Sequence, residues 1–164
     1  MTVITSGGNA FDFDIDTSNF EKALARIGAA AAGEALGKSA AAGALVLVGE
    51  AKIKIEENFV IHPTGPLKAS VRVGRVWSSG NSATAEWGSY GIVYARIHEY
   101  GGVIYATNGP YLTFKTEDGA WHMVPFVTMP ARPYMRPTID EHGKDARQAV
   151  LFQLEKQIRM AEAQ

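Results

Sequence analysis

Tyr94-Ala95-Arg96-Ile97-His98-Glu99-Tyr100-Gly101-Gly102 packs two tyrosines, a His-Glu pair and a double glycine into one stretch at mid-chain. Its reading decides the fold. The pattern before it is helical and then strand-like, and the pattern after it runs in the reverse order. His98 and Glu99 are also the residues that most resemble catalytic groups. Read as structure, the stretch is a joint between two hairpins. Tyr94 and Tyr100 serve as aromatic anchors, Gly101 and Gly102 let the chain turn, and Glu99 is an acid that needs a charged or hydrogen-bonding partner. An arginine from residues 132–136 is the expected partner.

Toward the N-terminus, Leu67, Ala69, Val71 and Val73 alternate with Lys68, Ser70 and Arg72, and Ala83, Ala85 and Trp87 alternate with Thr84 and Glu86. Period-two alternation on both sides of a polar stretch at 78–82 predicts an antiparallel hairpin. Pro63, Gly65 and Pro66 forbid helix ahead of it and force a turn. Farther upstream Ala44, Val48, Ala51, Ile55 and Phe59 keep helical spacing. Phe20, Leu24 and Ile27 begin that pattern behind a Ser18/Glu21 capping box. A single helix over 19–58 runs roughly 60 Å at ~1.5 Å per residue, against a radius of gyration of about 15 Å for a domain of this size. It must protrude or break. Each glycine inside a helix costs ~1 kcal/mol relative to alanine, so two helices joined between residues 33 and 37 is the preferred reading. The small-residue face from Ala29 to Ala44 suits close contact with another subunit or an internal one. Residues 1–17 read as an N-terminal arm or edge strand, either docking on a neighbouring subunit or loosely packed.

Toward the C-terminus, Leu112 and Phe114 run into Glu117-Asp118-Gly119, and Trp121, Met123 and the run from Val124 to Met129 return. Asp-Gly between such runs predicts a tight hairpin with both central residues at positive φ. Pro125 lacks a donor, so the returning strand lies at an edge or ends there. Arg132 and Arg136 each precede a proline and stand on a stiff connector. Pro137 suits the start of a last helix, with Asp140 and Glu141 in its first turn and Ile139, Ala146, Val150, Leu154 and Ile158 on one face. The sum is an α+β fold: an antiparallel β-sheet of two hairpins packed against a long N-terminal helix, whole or broken, and a C-terminal helix. Residues 18–164 read as one domain.

Composition narrows the chemistry. At 164 residues, 46% hydrophobic and 20% charged, the chain is an ordinary globular domain. It has no cysteine, which removes thiolate nucleophiles, disulfides and cysteine zinc sites. A net charge of −1 gives no global attraction for nucleic acid. No apolar run is long enough to span a bilayer, and the first residues lack the basic-then-apolar pattern expected of a signal peptide. The metalloprotease pattern needs a second histidine four residues after the first, and position 102 is glycine. His62, His122 and His142 are scattered, no serine sits in a nucleophile elbow, and the glycine pairs lack the spacing of a phosphate loop. Arg72 with Arg75, and Arg132 with Arg136, suit phosphate contacts or, more commonly, carboxylate pairs.

Three stretches carry a resemblance. Thr64-Gly65-Pro66-Leu67-Lys68-Ala69-Ser70-Val71, the mid-chain stretch, and Ala131-Arg132-Pro133-Tyr134-Met135-Arg136-Pro137 resemble, in order, three patterns: "TG-x-L-x-x-S-hydrophobic", "YA-x-x-x-E-aromatic-G" and "RP-aromatic-hydrophobic-RP". These belong to the neck and tail-completion proteins of tailed bacteriophages, a family of minor virion proteins that includes the lambda Z-like and Mu G-like groups. Pro66 and Tyr134 are mild departures, and residues 104–129 match only in pattern. The resemblance implies a non-enzymatic structural protein of the virion, made in the host cytoplasm. It forms a homo-oligomeric ring, six-fold in the family, at the head-tail junction. Its partners are a head connector or head-closure protein and a tail terminator or tail-tube protein, with DNA passing non-specifically and no cofactor, metal, catalytic residue or membrane involved.

The same resemblance assigns the assembly motif to Thr64, Gly65, Leu67 and Ser70 at the helix-to-sheet entry and to Tyr94, Glu99, Tyr100 and Gly101 at the central turn. Arg132, Pro133, Tyr134, Arg136 and Pro137 lead into the last helix. A tail terminator or other connector is the nearest alternative. A DNA-binding module and a His98/Glu99 hydrolase are the competing classes, distinguished by binding to DNA at low salt and by activity lost on His98→Ala.

Overall fold

The computed structural model describes residues 5, 6, 10, 11, 29–59, 65–79, 82–116 and 118–162, with side chains described from 32 to 160 within those ranges. The Ser18/Glu21 capping box, Phe20, Leu24, Ile27, His62 and Thr64 fall outside them, as does the alternating run at 12–16. The architecture is α+β. In order come β1 (Thr5–Ser6), β2 (Ala10–Phe11), α1 (Ala29–Asn58), α2 (Gly65–Ser70), β3 (Val71–Ser79), β4 (Ser82–Ser89) and α3 (Ala95–Tyr100). They are followed by β5 (Gly102–Tyr105), β6 (Leu112–Lys115), β7 (Trp121–Val124), β8 (Phe126–Met129) and α4 (Met135–Glu162). The chain divides into two compact units, Met1–Ile92 with Tyr134–Gln164, and Val93–Pro133.

In the first unit the expected break in α1 is absent. The helix runs 30 residues straight through Gly33, Gly37 and Gly43. Its glycines are places of close approach instead. A Cβ on Gly33 would lie 3.1 Å from Ser78 Oγ, one on Gly37 3.7 Å from Val76 Cγ1, and one on Gly43 2.5 Å from Val150 Cγ2. The helix is wedged between the β3–β4 hairpin and α4, so among its described residues only a narrow stripe at Glu34, Lys38, Leu45, Gly49, Ile53, Glu56 and Glu57 stays wet. Ala44, Val48, Ala51, Ile55 and Phe59 are buried as the spacing predicts.

Helix α4 lies antiparallel along α1. Ala32 and Leu36 cluster with Leu154 and Ile158, and Ala83 packs against them. Gly43 meets Ala146 and Val150, and Lys54 reaches Glu141 at 2.9 Å. Ala146, Val150 and Leu154 have no exposure at all, and each large aliphatic buried here contributes about 1.5–3 kcal/mol. Beside that apolar seam His142 stands between Glu50 (3.5 Å) and Asp145 (3.2 Å). Surface ion pairs of this kind fix register more than they stabilise. Pro137 is the third residue of α4 rather than the first, still within the turn whose N–H groups have no helical acceptor.

Residues 65–70 are helical, which corrects the expected turn and strand at this point. Pro66 stands in the first turn, where its missing N–H removes no helical bond. Leu67 and Ser70 are buried at helical i, i+3 spacing while Ala69 is exposed, so the apparent period-two run from Leu67 was half helix. The hairpin that follows has the expected pairing, with Val73 opposite Trp87 and Val76 opposite Ala85. A bulge between Val73 and Val76 re-phases β3. After it Val76 and Ser78 face α1, while Arg75 stacks its guanidinium on Trp77 on the outer face, 4.5 Å from the ring centre. A Cβ on Gly74 would lie 2.0 Å from Tyr90 Oη and 2.7 Å from its Cζ, so a larger residue there displaces the Tyr90 ring.

In the second unit β5 pairs antiparallel with β8 and β6 with β7, so that the inner hairpin is nested inside the outer pair. Tyr105 is opposite Phe126 and Leu112 is opposite Val124. The result is one two-stranded ribbon, interrupted where residues 106–111 face Pro125. Pro125 separates β7 from β8, in line with its missing donor. The β6–β7 turn differs from the tight Asp-Gly type. Among the described residues of the turn only Gly119 has positive φ, +85°. Asp118 accepts the Ala120 N–H at 3.1 Å and the Thr116 hydroxyl, and Thr116 N–H donates to the Ala120 carbonyl at 3.0 Å. The side chain organises a wider loop, which removes the need for positive φ at the aspartate.

Candidate functional site

Each motif residue can now be placed. Leu67 is fully buried in α2, and Ser70 donates its hydroxyl to the Leu67 carbonyl at 2.7 Å. The Ser70 carbonyl accepts the Tyr90 N–H at 3.1 Å. Gly65 is exposed, and a Cβ there would meet nothing within 4 Å. Tyr134, 1% exposed, hydrogen-bonds Ser89 through its hydroxyl at 2.6 Å, and Ser89 is the ladder partner of Val71. The first and third motifs therefore converge on residues 89 and 90. Thr138 closes the start of α4 by donating to the Tyr134 carbonyl at 2.6 Å. Arg136 is exposed, and Pro133 and Pro137 are half-buried.

The mid-chain motif forms a short helix where a turn was expected. Its closing glycine is under two constraints. Gly101 has φ +70°, and a Cβ on it would lie 2.8 Å from Ala131 N and 3.0 Å from the Met129 carbonyl oxygen. Beside it, Arg132 N–H donates to the His98 carbonyl at 2.7 Å. The second motif is thereby pinned to the first residues of the third. Glu99 is 4% exposed. It is withdrawn from solvent, the condition on which the expected pairing with an arginine rests.

His98 sits edge-to-face on Tyr94, with ring centres 5.5 Å apart. Burial, and after it the positive charge of Arg132, hold its imidazole below the usual histidine range. The lowered basicity favours the neutral ring, which is packed on Tyr94. Among the described residues no group of three or more His, Asp or Glu side chains gathers as a metal ion needs.

Tyr94 and Tyr100 are not anchors: they stand 39% and 53% exposed. They belong to a larger set. Tyr105, Tyr111, Phe114, Trp121 and Phe126 are also exposed in the Val93–Pro133 unit, together with Val93, Val103, Ile104 and Met123. Among its described residues this unit fully buries no apolar side chain; the buried one is Glu99. Sequence reasoning missed this surface, although a signal existed. Val103-Ile104-Tyr105 and Trp121-His122-Met123-Val124 do not alternate with charged residues, as strands with one face in water do. Such runs ask for cover on both faces.

No protein-family model matches the chain, and no curated protein or solved structure matches it.

Proposed function

We propose that this chain is a structural virion protein of a tailed bacteriophage, forming a ring at the head-tail junction that completes the tail and joins it to the DNA-filled capsid. The observation that carries the reading is the Val93–Pro133 unit, a two-stranded ribbon with an aromatic surface and no apolar core of its own among the described residues. A two-stranded ribbon is marginally stable in water by itself. Both its edges carry unpaired backbone groups, which offer pairing to another chain. Interfaces are enriched in tyrosine, tryptophan, phenylalanine and methionine, the residue types exposed here. The order of the three motif stretches supports the neck in particular. The test is native mass spectrometry and electron microscopy of the full chain, alone and mixed with purified phage tails and connectors. Closed rings or rings seated on tail ends are expected; a chain monomeric at millimolar concentration that binds neither particle overturns the reading.

A further inference from the structure

Helix α4 carries a second apolar strip, on the side away from Val150, Leu154 and Ile158. Phe152 is 69% exposed and Met160 52%. Between them is an open hollow of about 350 Å³ lined, among the described residues, by Phe152, Glu155, Lys156, Arg159 and Met160. Glu155 and Arg159 pair at 3.9 Å, and among the described residues Lys156 on the same rim has no carboxylate paired to it. An apolar floor with a thioether and a cationic rim is suited to an aromatic ring, through sulfur–aromatic and cation–π contact.

The ribbon carries the complement. Trp121 opens β7 at 71% exposure, immediately after the turn in which the exposed carboxylate of Asp118 is oriented by Thr116 and Ala120. Ring and carboxylate thus stand together at one end of the ribbon. The two patches are different surfaces of the chain; used once per pair of copies their contact is head-to-tail and repeats around a closed ring, and used twice it closes a two-fold dimer. Trp121 is the most exposed of the seven aromatic side chains of the Val93–Pro133 unit, which are 38–71% exposed.

We infer that the Trp121 indole of one copy seats in the hollow at Phe152 and Met160 of a second copy of this chain, with Asp118 paired to Lys156 and Arg159 on the rim. The inference rests on the ring reading and names its subunit contact.

The chain has no native cysteine, so directed cross-linking tests the contact without background. Differently tagged Trp121→Cys and Met160→Cys chains are mixed and oxidised, and the product is compared with that of Trp121→Cys and Lys144→Cys, a surface control on the same helix. A two-tag disulfide product from the first pair alone is expected. Reversal by Lys156→Glu with Arg159→Glu should abolish oligomers at least tenfold in apparent affinity, and adding Asp118→Lys should restore them. Rings that form with no 121–160 product, or with equal product from the control pair, overturn this docking and leave the ring reading standing. An unsubstituted chain that stays monomeric at the same concentration, with no product from either pair, overturns both.

Discussion

Gly43 lies so close to Val150 that a methyl group on its Cα would sit 2.5 Å from Val150 Cγ2 and 3.0 Å from the Ala146 carbonyl oxygen. This contact sets the spacing between α1 and α4. Gly43→Ala improves intrinsic helix propensity by ~1 kcal/mol but overpacks a seam at a cost of about 1–3 kcal/mol. A net loss of stability is expected in urea denaturation. Gly49→Ala, in the exposed stripe with open space at its Cβ, should gain up to ~1 kcal/mol by the same propensity. Equal effects at the two sites would refute the close-approach account.

Gly101→Ala forces a side chain to adopt φ +70° against Ala131 N at 2.8 Å. With ψ at −176° this is a backbone region essentially reserved for glycine, and occupying it costs a side-chain-bearing residue roughly 1–3 kcal/mol. The expected result is local: faster hydrogen exchange at the Arg132 amide, whose bond to the His98 carbonyl closes the same corner, with the α1–α4 amides unchanged. Unchanged protection at Arg132 would contradict it.

Tyr134→Phe removes a hydroxyl bonded to Ser89 at 2.6 Å while keeping the buried ring, and should cost about 0.5–1.5 kcal/mol. Tyr134→Ala also empties a fully packed site and should cost about 3–5 kcal/mol. Thermal unfolding of the two variants separates the contributions. A Phe variant as damaged as the Ala variant would mean that the hydroxyl, not the ring, holds α4 to the hairpin.

The depressed His98 pKa has a signed consequence. Its ordinary value is 6.5, and burial, followed by Arg132, lowers it in the folded chain. Below pH 6.5 the unfolded chain takes up the proton first, so this site's contribution is intact above pH 6.5 and declines as pH falls toward the folded pKa. NMR titration should find His98 below 6.5, and Arg132→Gln should raise it. A His98 that titrates at or above 6.5 is the contrary outcome.

The helix faces were legible because burial at Val48, Ala51 and Ile55, and at Val150 and Leu154, follows helical spacing. The hairpin was legible from its alternation. The α1 glycines were misread because propensity is local, whereas the benefit of a glycine at a crossing depends on Val76, Ser78 and Val150, which are far away in sequence. Leu67 to Ser70 was misread because the apolar Ala69 completes a period-two run between Leu67 and Val71, whereas the positions buried in the helix are Leu67 and Ser70, three apart. Among the proposed site residues, the constraint on Gly101 was visible as a turn signal. The exposure of Tyr94 and Tyr100 was not, since an aromatic residue is written the same way in a core as on an interface. Ser89 and Tyr90, where two motifs meet, carry no pattern of their own.

The corner made by Gly101 against Ala131 and by Arg132 on His98 ties the base of the ribbon together. The ribbon is thus an insertion whose ends are already closed. Extra residues at its tip cost only loop entropy, about 0.6 kcal/mol per doubling of loop length. A Gly-Ser insertion in the 116–120 turn should leave the melting temperature of the full chain nearly unchanged; a drop of ten degrees would show that the tip, not the corner, holds the ribbon. The reach of the ribbon can therefore vary independently of the scaffold that carries it.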